Sequence, residues 1–186
     1  MNRAFRSVFQ KAKMRHLFQV KRRIKDVCST TGFIVDFSDF LILFHQLDMD
    51  TFRLNGYTVI RTEDIGHYRV FCKAEYWQFR AVKHFRLRPV PPVGVSVASL
   101  PELLKSVAER YPLITLHPEK NKSDVCYIGP LVSMTELTFT IADLNCSAEW
   151  TGPRRMRFSD VTRVEFGGGY EKALAVTAPK RPETPR

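Results

Sequence analysis

The chain is poor in the residues that build disulfide frameworks and metal centres. Its four cysteines, Cys28, Cys72, Cys126 and Cys146, form no CxxC pair and have no histidine at zinc spacing. Free and mostly buried thiols are therefore expected, rather than a disulfide scaffold or a zinc site. The five histidines, at positions 16, 45, 67, 84 and 117, are scattered, and no two stand four residues apart as helical metal ligands would. No metal and no cofactor is expected. No apolar run approaches the roughly 18 residues that cross a bilayer, and the N-terminus lacks a hydrophobic segment with a small-residue cleavage site. Both absences point to a cytoplasmic protein with no membrane segment. The run Gly167-Gly168-Gly169 is followed by no Lys-Ser or Lys-Thr, so it reads as a turn or bulge and not as a phosphate cradle. No nucleophile can be given a base and an orienting partner, and the expectation is a protein that is not an enzyme.

Acidic residues are missing from one place only. Residues 1–25 hold nine basic groups and no acid, out of 29 Lys and Arg and 19 Asp and Glu in the 186-residue chain. The formal net charge of +10 therefore belongs almost wholly to the N-terminal segment, and the rest is nearly neutral. Such a segment can neutralise phosphates and release their counterions, or it can be a solvated helix face followed by a charged, pairing-resistant strand edge. Its composition also suits an organelle transit peptide, but its last residues run into the repeat described next. The remaining composition, 44% hydrophobic and 26% charged, is that of a globular chain with a real core.

An internal repeat is the clearest signal present. Gly32 to Asp48 (GFIVDFSDFLILFHQLD) matches Gly129 to Asn145 (GPLVSMTELTFTIADLN) at an offset of 97 without a gap, pairing Val35 with Val132, Ser38 with Thr135, Asp39 with Glu136 and Leu47 with Leu144. Upstream, Leu17-Phe18-Gln19-Val20 recurs as Leu113-Ile114-Thr115-Leu116, and Asp26-Val27-Cys28 as Asp124-Val125-Cys126; downstream, Asp64-Ile65 recurs as Asp160-Val161. Each copy opens with a short helix. Phe5, Val8, Phe9 and Ala12 form one apolar face in the first. Ser99-Leu100-Pro101-Glu102 has the form of a capping box in the second, followed by the stripe Leu103, Leu104, Val107 and Ala108. Alternation in Thr138 to Ala142 predicts a strand with one buried face, and the apolar run Phe40 to Phe44 a strand covered on both sides. Asn55-Gly56, and Thr151-Gly152-Pro153 in the second copy, are read as hairpin turns.

Four segments follow: a first helix-plus-barrel repeat with a following helix over 1–88, a Pro-rich connector over 89–98, a second repeat over 99–178 and a disordered tail over 179–186. The helix in the first segment is predicted within Lys73 to Arg88, with Tyr76, Phe79 and Val82 on one face and Trp77 beside them. The fold class is mainly β with short helices. The pattern of each copy, a short helix and about five bent strands with a glycine opening the second, resembles the Sm-like branch of the small SH3-type barrels. The whole resembles uncharacterised bacterial proteins with two such barrels in tandem and a DVCYIG stretch like Asp124 to Gly129. The resemblance implies the fold. It does not carry RNA binding, because the Asp or Asn about six residues after the glycine is Ser38 in one copy and Thr135 in the other. The Asn that holds bases is likewise replaced within Leu41-Ile42-Leu43, and no Arg-Gly motif adjoins Asp64 or Asp160.

Asp36, Asp39 and His45 suggest acid–base chemistry, yet Asp36 aligns with Ser133 and His45 with Ala142, so any such site exists in one copy only. The leading expectation is a non-enzymatic interaction or regulatory module that engages a protein partner, or itself, through strand edges. The second is sequence-indifferent nucleic-acid binding by Arg15, Lys21, Arg22, Arg23 and Lys25. Trp77, Arg80 and Lys83 are candidates there for stacking and phosphate contact.

Overall fold

Helix α1 (Arg3–Ala12) precedes strands β1 (Leu17–Arg22), β2 (Thr30–Phe37), β3 (Leu41–Asp48), β4 (Arg53–Arg61) and β5 (Ile65–Phe71), with a 3-10 turn at Thr62–Asp64. Helix α2 (Trp77–His84) closes this half, in a computed structural model that describes residues 3–24 and 28–181. The second half repeats the order: α3 (Leu100–Ala108), β6 (Ile114–His117), β7 (Tyr127–Gly129), β8 (Leu131–Met134), β9 (Thr138–Leu144), β10 (Trp150–Arg157), a 3-10 turn at Phe158–Asp160, β11 (Arg163–Phe166) and α4 (Gly169–Thr177). Both opening helices lie where the apolar stripes place them. Phe9 and Ala12 of α1 are buried, and the Phe9 ring meets Phe18 edge-on at 5.6 Å. In α3 the Ser99 hydroxyl accepts from the Glu102 N–H at 3.3 Å, but the Glu102 carboxylate turns to Ser96 at 3.2 Å, so only half of the capping box forms.

The strands form one antiparallel sheet in the order β10-β9-β7-β6-β11-β4-β3-β2-β1-β5, with β8 also paired to β9. Within each half the order is the same: β4-β3-β2-β1-β5 in the first and β10-β9-β7-β6-β11 in the second. The two halves do not carry separate sheets: all 11 strands belong to one open antiparallel sheet, because β4 pairs with β11 across the halves. The register there is Ile60 with Arg163, Val59 with Val164, Thr58 with Glu165 and Tyr57 with Phe166. The largest core follows the same logic, joining Val35, Leu41, Leu43 and Val59 of the first half to Leu103, Leu116, Phe139, Val164 and Phe166 of the second. The Pro-rich connector carries no helix or strand, but it is fastened down. The Val90 N–H donates to His45 Nδ1 at 3.1 Å, the Val90 carbonyl accepts from the Tyr57 hydroxyl at 3.0 Å, and Val97 is buried.

Three local readings change. Asn55-Gly56 and Thr151-Gly152-Pro153 lie inside β4 and β10, not at hairpin turns. Gly56 (φ 69°) and Gly152 (φ 107°) sit at register shifts, where the left-handed conformation suits a bulge. The turns come earlier because an oxygen at each first position captures the chain. Asp48 Oδ1 accepts from the Asp50 and Thr51 N–H groups, and Asn145 Oδ1 from those of Ser147 and Glu149. Phe40 is not part of the covered strand; it is 69% exposed at the tip before β3. Gly167 does turn the chain, at φ 69°, and the turn leads into α4, a helix the sequence pattern did not announce.

Gly32 lies inside β2 and Gly129 ends β7, so neither opens its strand as the sequence pattern suggests; each sits where the backbone passes against the next strand with no room for a side chain. A Cβ on Gly32 would meet the His45 carbonyl at 2.6 Å, and one on Gly129 the Ala142 carbonyl at 1.9 Å. Gly32→Ala and Gly129→Ala are each expected to lower stability by roughly 1–3 kcal/mol, as overpacking against backbone does. Urea unfolding of the full chain checks both.

Candidate functional site

A buried arginine organises the region where the halves meet. Arg22, at the end of β1, has a side chain closed to solvent, and its guanidinium donates through two nitrogens to the Glu119 carboxylate beyond β6, one of them at 2.7 Å. Glu119 also accepts from the Thr162 hydroxyl at 2.6 Å and faces Arg163 Nε at 3.3 Å. Burial opposes ionisation of Glu119, but the Arg22 and Thr162 hydrogen bonds and the charges of Arg163 and Arg22 outweigh it and hold the carboxyl below its ordinary value. Lys120 adds a bond from the second half to Asp64 of the first, at 2.7 Å. Above this cluster Arg61 straps β4 to the second 3-10 turn, donating to the carbonyls of Val161 (2.8 Å), Phe158 (2.6 Å) and Ser159 (3.1 Å).

Beside Arg61 lies a cavity of about 830 Å³, whose lining includes Arg23, Phe40, Glu63, Leu100 and Phe158. Phe40 reaches it from a turn that Ser38 caps, the Ser38 hydroxyl accepting from the Phe40 and Leu41 N–H groups at 3.1 and 3.0 Å. Thr135 caps the corresponding turn of the second half, accepting from the Thr138 N–H at 3.1 Å. Both hydroxyls are used within their own turns.

The basic N-terminal segment is not a single charged surface. Arg22, expected among the phosphate-binding residues, is closed to solvent against Glu119 and presents no group at the surface. Lys13 is paired with Asp36 and Arg6 with Asp39, both at 3.0 Å. Arg15, Lys21 and Arg23 are exposed, and Lys25 lies outside the described residues, as does Asp26. Trp77, Arg80 and Lys83 are exposed on α2, whose inner face packs through Tyr76 and Val82. Phe85 belongs to the same aromatic and basic segment, whereas Phe52 and the strap Arg61 carry no signal in the sequence pattern; apolar residues recur at the two turn tips, Phe40 and Leu137, and both are exposed.

The cysteines also differ from expectation. All four are free, and all four are exposed, because they fall at strand ends and in turns. Cys126 rims a cavity of about 210 Å³ that His117 and Glu165 also line. His117 Nε2 lies 3.0 Å from Glu165, while Nδ1 faces Arg163 Nη2 at 3.0 Å. Arg163 can only donate, so Nδ1 accepts and Nε2 donates to Glu165, leaving no ring nitrogen to take a thiol proton. Partial desolvation pushes the Cys126 thiol up, and the Glu165 charge adds to this, the reverse of what a nucleophile needs. Burial likewise lowers the pKa of His45, whose ring stacks on Tyr57 at 4.8 Å. Among the described residues no three His, Cys, Asp or Glu side chains are placed to hold a metal, and no helix is long and apolar enough to cross a membrane.

Removing one partner of the buried pair, by Arg22→Ala or Glu119→Ala, is expected to cost about 3–5 kcal/mol, because an uncompensated charge stays behind, whereas Arg22→Met with Glu119→Leu is expected to cost less than either. Chemical denaturation of the three variants checks this. Glu119 and Glu165 both have carboxyls held below the ordinary value of 4.5. Their contribution is therefore complete above that value and is lost as pH falls through the lower folded values. Thermal melts should show a loss of stability below about pH 4.5 that is shallower in Glu119→Gln.

No family model matches the chain, and none of the curated proteins compared with it matches either.

Proposed function

We propose that the protein is a non-catalytic interaction module, two Sm-like small barrels joined edge to edge, that receives a strand of an acidic partner protein along β5. The observation that carries this is the β4–β11 junction, in which one half already recognises the other by strand addition. The same strand order in each half leaves the counterparts of those two edges, β10 and β5, at the ends of the sheet.

The two ends are not alike. The Ala142 N–H donates to the Pro130 carbonyl at 3.1 Å, and the Ala142 carbonyl faces Gly129, so both backbone groups of Ala142 point away from β10. Pro153, opposite Ala142, therefore sits at a non-hydrogen-bonded position with its nitrogen toward the open edge. Its counterpart Tyr57, opposite His45, is the residue that pairs with Phe166 at the junction. Proline there removes the donor a further strand would use, which is a known way to close an edge. Repetition of the junction between two copies is opposed a second time by charge. It would set Arg69 of β5 against Arg154 of β10, where the junction itself has Glu165 against Thr58. These features favour a different chain over self-association. The exposed Arg69 and His67 favour a partner strand with acidic side chains.

A tagged full chain should capture a protein partner from source cells that survives nuclease treatment and is lost on Val70→Pro, which removes a donor from β5. A partner released by nuclease, or retained by Val70→Pro, would contradict the reading. Light scattering should find the native chain monomeric and Pro153→Thr combined with Arg69→Glu shifted to larger assemblies.

A further inference from the structure

The turn between β3 and β4 ends on Phe52, an aromatic residue in the left-handed region at φ 52°. A bulky side chain adopts that conformation only where the surroundings hold it. Its ring lies 5.8 Å from Trp77 and 5.5 Å from Phe85, tilted by 43° and 42°, so Phe52 braces both rings from beneath. Trp77 at the start of α2 and Phe85 just past its end nevertheless remain 51% and 57% exposed. The second half supplies an internal control. Its equivalent turn also ends in the left-handed region, at φ 60°, but on Ala148, which packs with Trp150, Ala175 and Ala178 against Leu113, Ile128, Leu144 and Leu174. The one ring at this corner, Trp150, is half-buried and its Nε1–H donates to the Pro179 carbonyl at 2.8 Å, so the second half presents no pair of open rings here.

Cations accompany the rings. Arg80, Lys83 and Arg86 follow at three-residue steps and are exposed. Arg80 spends one nitrogen on the carbonyls of Ala74 (2.7 Å) and Glu75 (3.1 Å), which fixes its guanidinium beside α2, and Lys83 lies over the Phe79 ring at 4.5 Å. From Lys73 to Arg88 there are five basic residues against one acid, Glu75. The geometry points to a platform for single-stranded nucleic acid, on which Trp77 and Phe85 stack bases and Arg80, Lys83 and Arg86 hold phosphates. Each nucleotide of a single strand offers one planar base and one anion, so rings and cations are satisfied together. A duplex hides its bases, and an anionic bilayer offers charge without a planar group to stack on. This site is independent of β5 and of the N-terminal charges.

The test is fluorescence polarisation of a short labelled oligo-uridine against the full chain, with salt titration. Binding should weaken steeply with salt, quench Trp77 in a Trp150→Phe background, and be competed by unlabelled single strand far better than by duplex. Trp77→Ala and Phe85→Ala should each weaken binding by about tenfold, and Arg80→Gln with Lys83→Gln should flatten the slope of log affinity against log salt by about 1.4. Both rings are exposed, so unchanged thermal melts are expected for the two alanine variants. If Trp77→Ala does unfold the chain, Phe85→Ala and the charge variant decide. No binding at low salt, equal competition by duplex, binding to phosphatidylserine vesicles but not to oligo-uridine, or loss on Arg15→Gln with Arg23→Gln while Trp77→Ala binds normally would each overturn the assignment.

Discussion

Arg22 leaves β1 with its guanidinium out of water, a position that is tolerable only if a carboxylate meets it with most of its protons satisfied. Glu119 does so from the other half of the chain, and Thr162 and Arg163 complete its shell. The pair is costly to desolvate and therefore contributes more to alignment than to net stability. Its consequence is geometric: with Arg22 and Glu119 in register, β4 and β11 come side by side, Arg61 reaches the carbonyls of the second 3-10 turn, and Val59 shares one core with Val164. The connector is then short enough to lie across His45 and Tyr57 without slack.

Joining the halves by strand addition uses up one edge of each and leaves two edges exposed to any passing strand. The chain treats these two edges differently. β10 has Pro153 where β4 has Tyr57, and arginines on either side of Met156; β5 has no proline and bears His67 and Arg69. A protein with two open, matching edges would grow into rings or fibres. Proline at one position and like charges across the would-be contact both oppose that growth.

The two halves share an architecture and diverge at their corners. At the β3–β4 turn an aromatic residue is held in a strained conformation against two exposed rings, while the corresponding corner at β9–β10 has Ala148 in that place, packed with Ala175, Ala178 and a half-buried Trp150. At the β2–β3 and β8–β9 turns the capping hydroxyls of Ser38 and Thr135 shape the loop and present Phe40 and Leu137 outward. Chemistry that needs a nucleophile finds no support at the cavity that Cys126, His117 and Glu165 share, since Arg163 occupies the histidine nitrogen that would be needed.

Periodicity and spacing by themselves determined the mainly β class, the helices that open each half, the glycines at 32 and 129, and the common strand order, because these depend on local alternation and on backbone clearance that recurs at a constant offset. They misplaced the hairpin turns by several residues: the glycines at 56 and 152 suit bulges as well as turns, and the capping oxygens of Asp48 and Asn145 outcompeted them. Only the tertiary structure decided that the halves share one sheet, that Arg22 is a buried structural cation while Arg23 faces a cavity, and that the cysteines lie outside the core. Each of those outcomes turns on a partner about a hundred residues away or on which side of a strand faces water. A run of like charges in sequence carries no information about which of its members will meet a carboxylate once the chain has closed on itself.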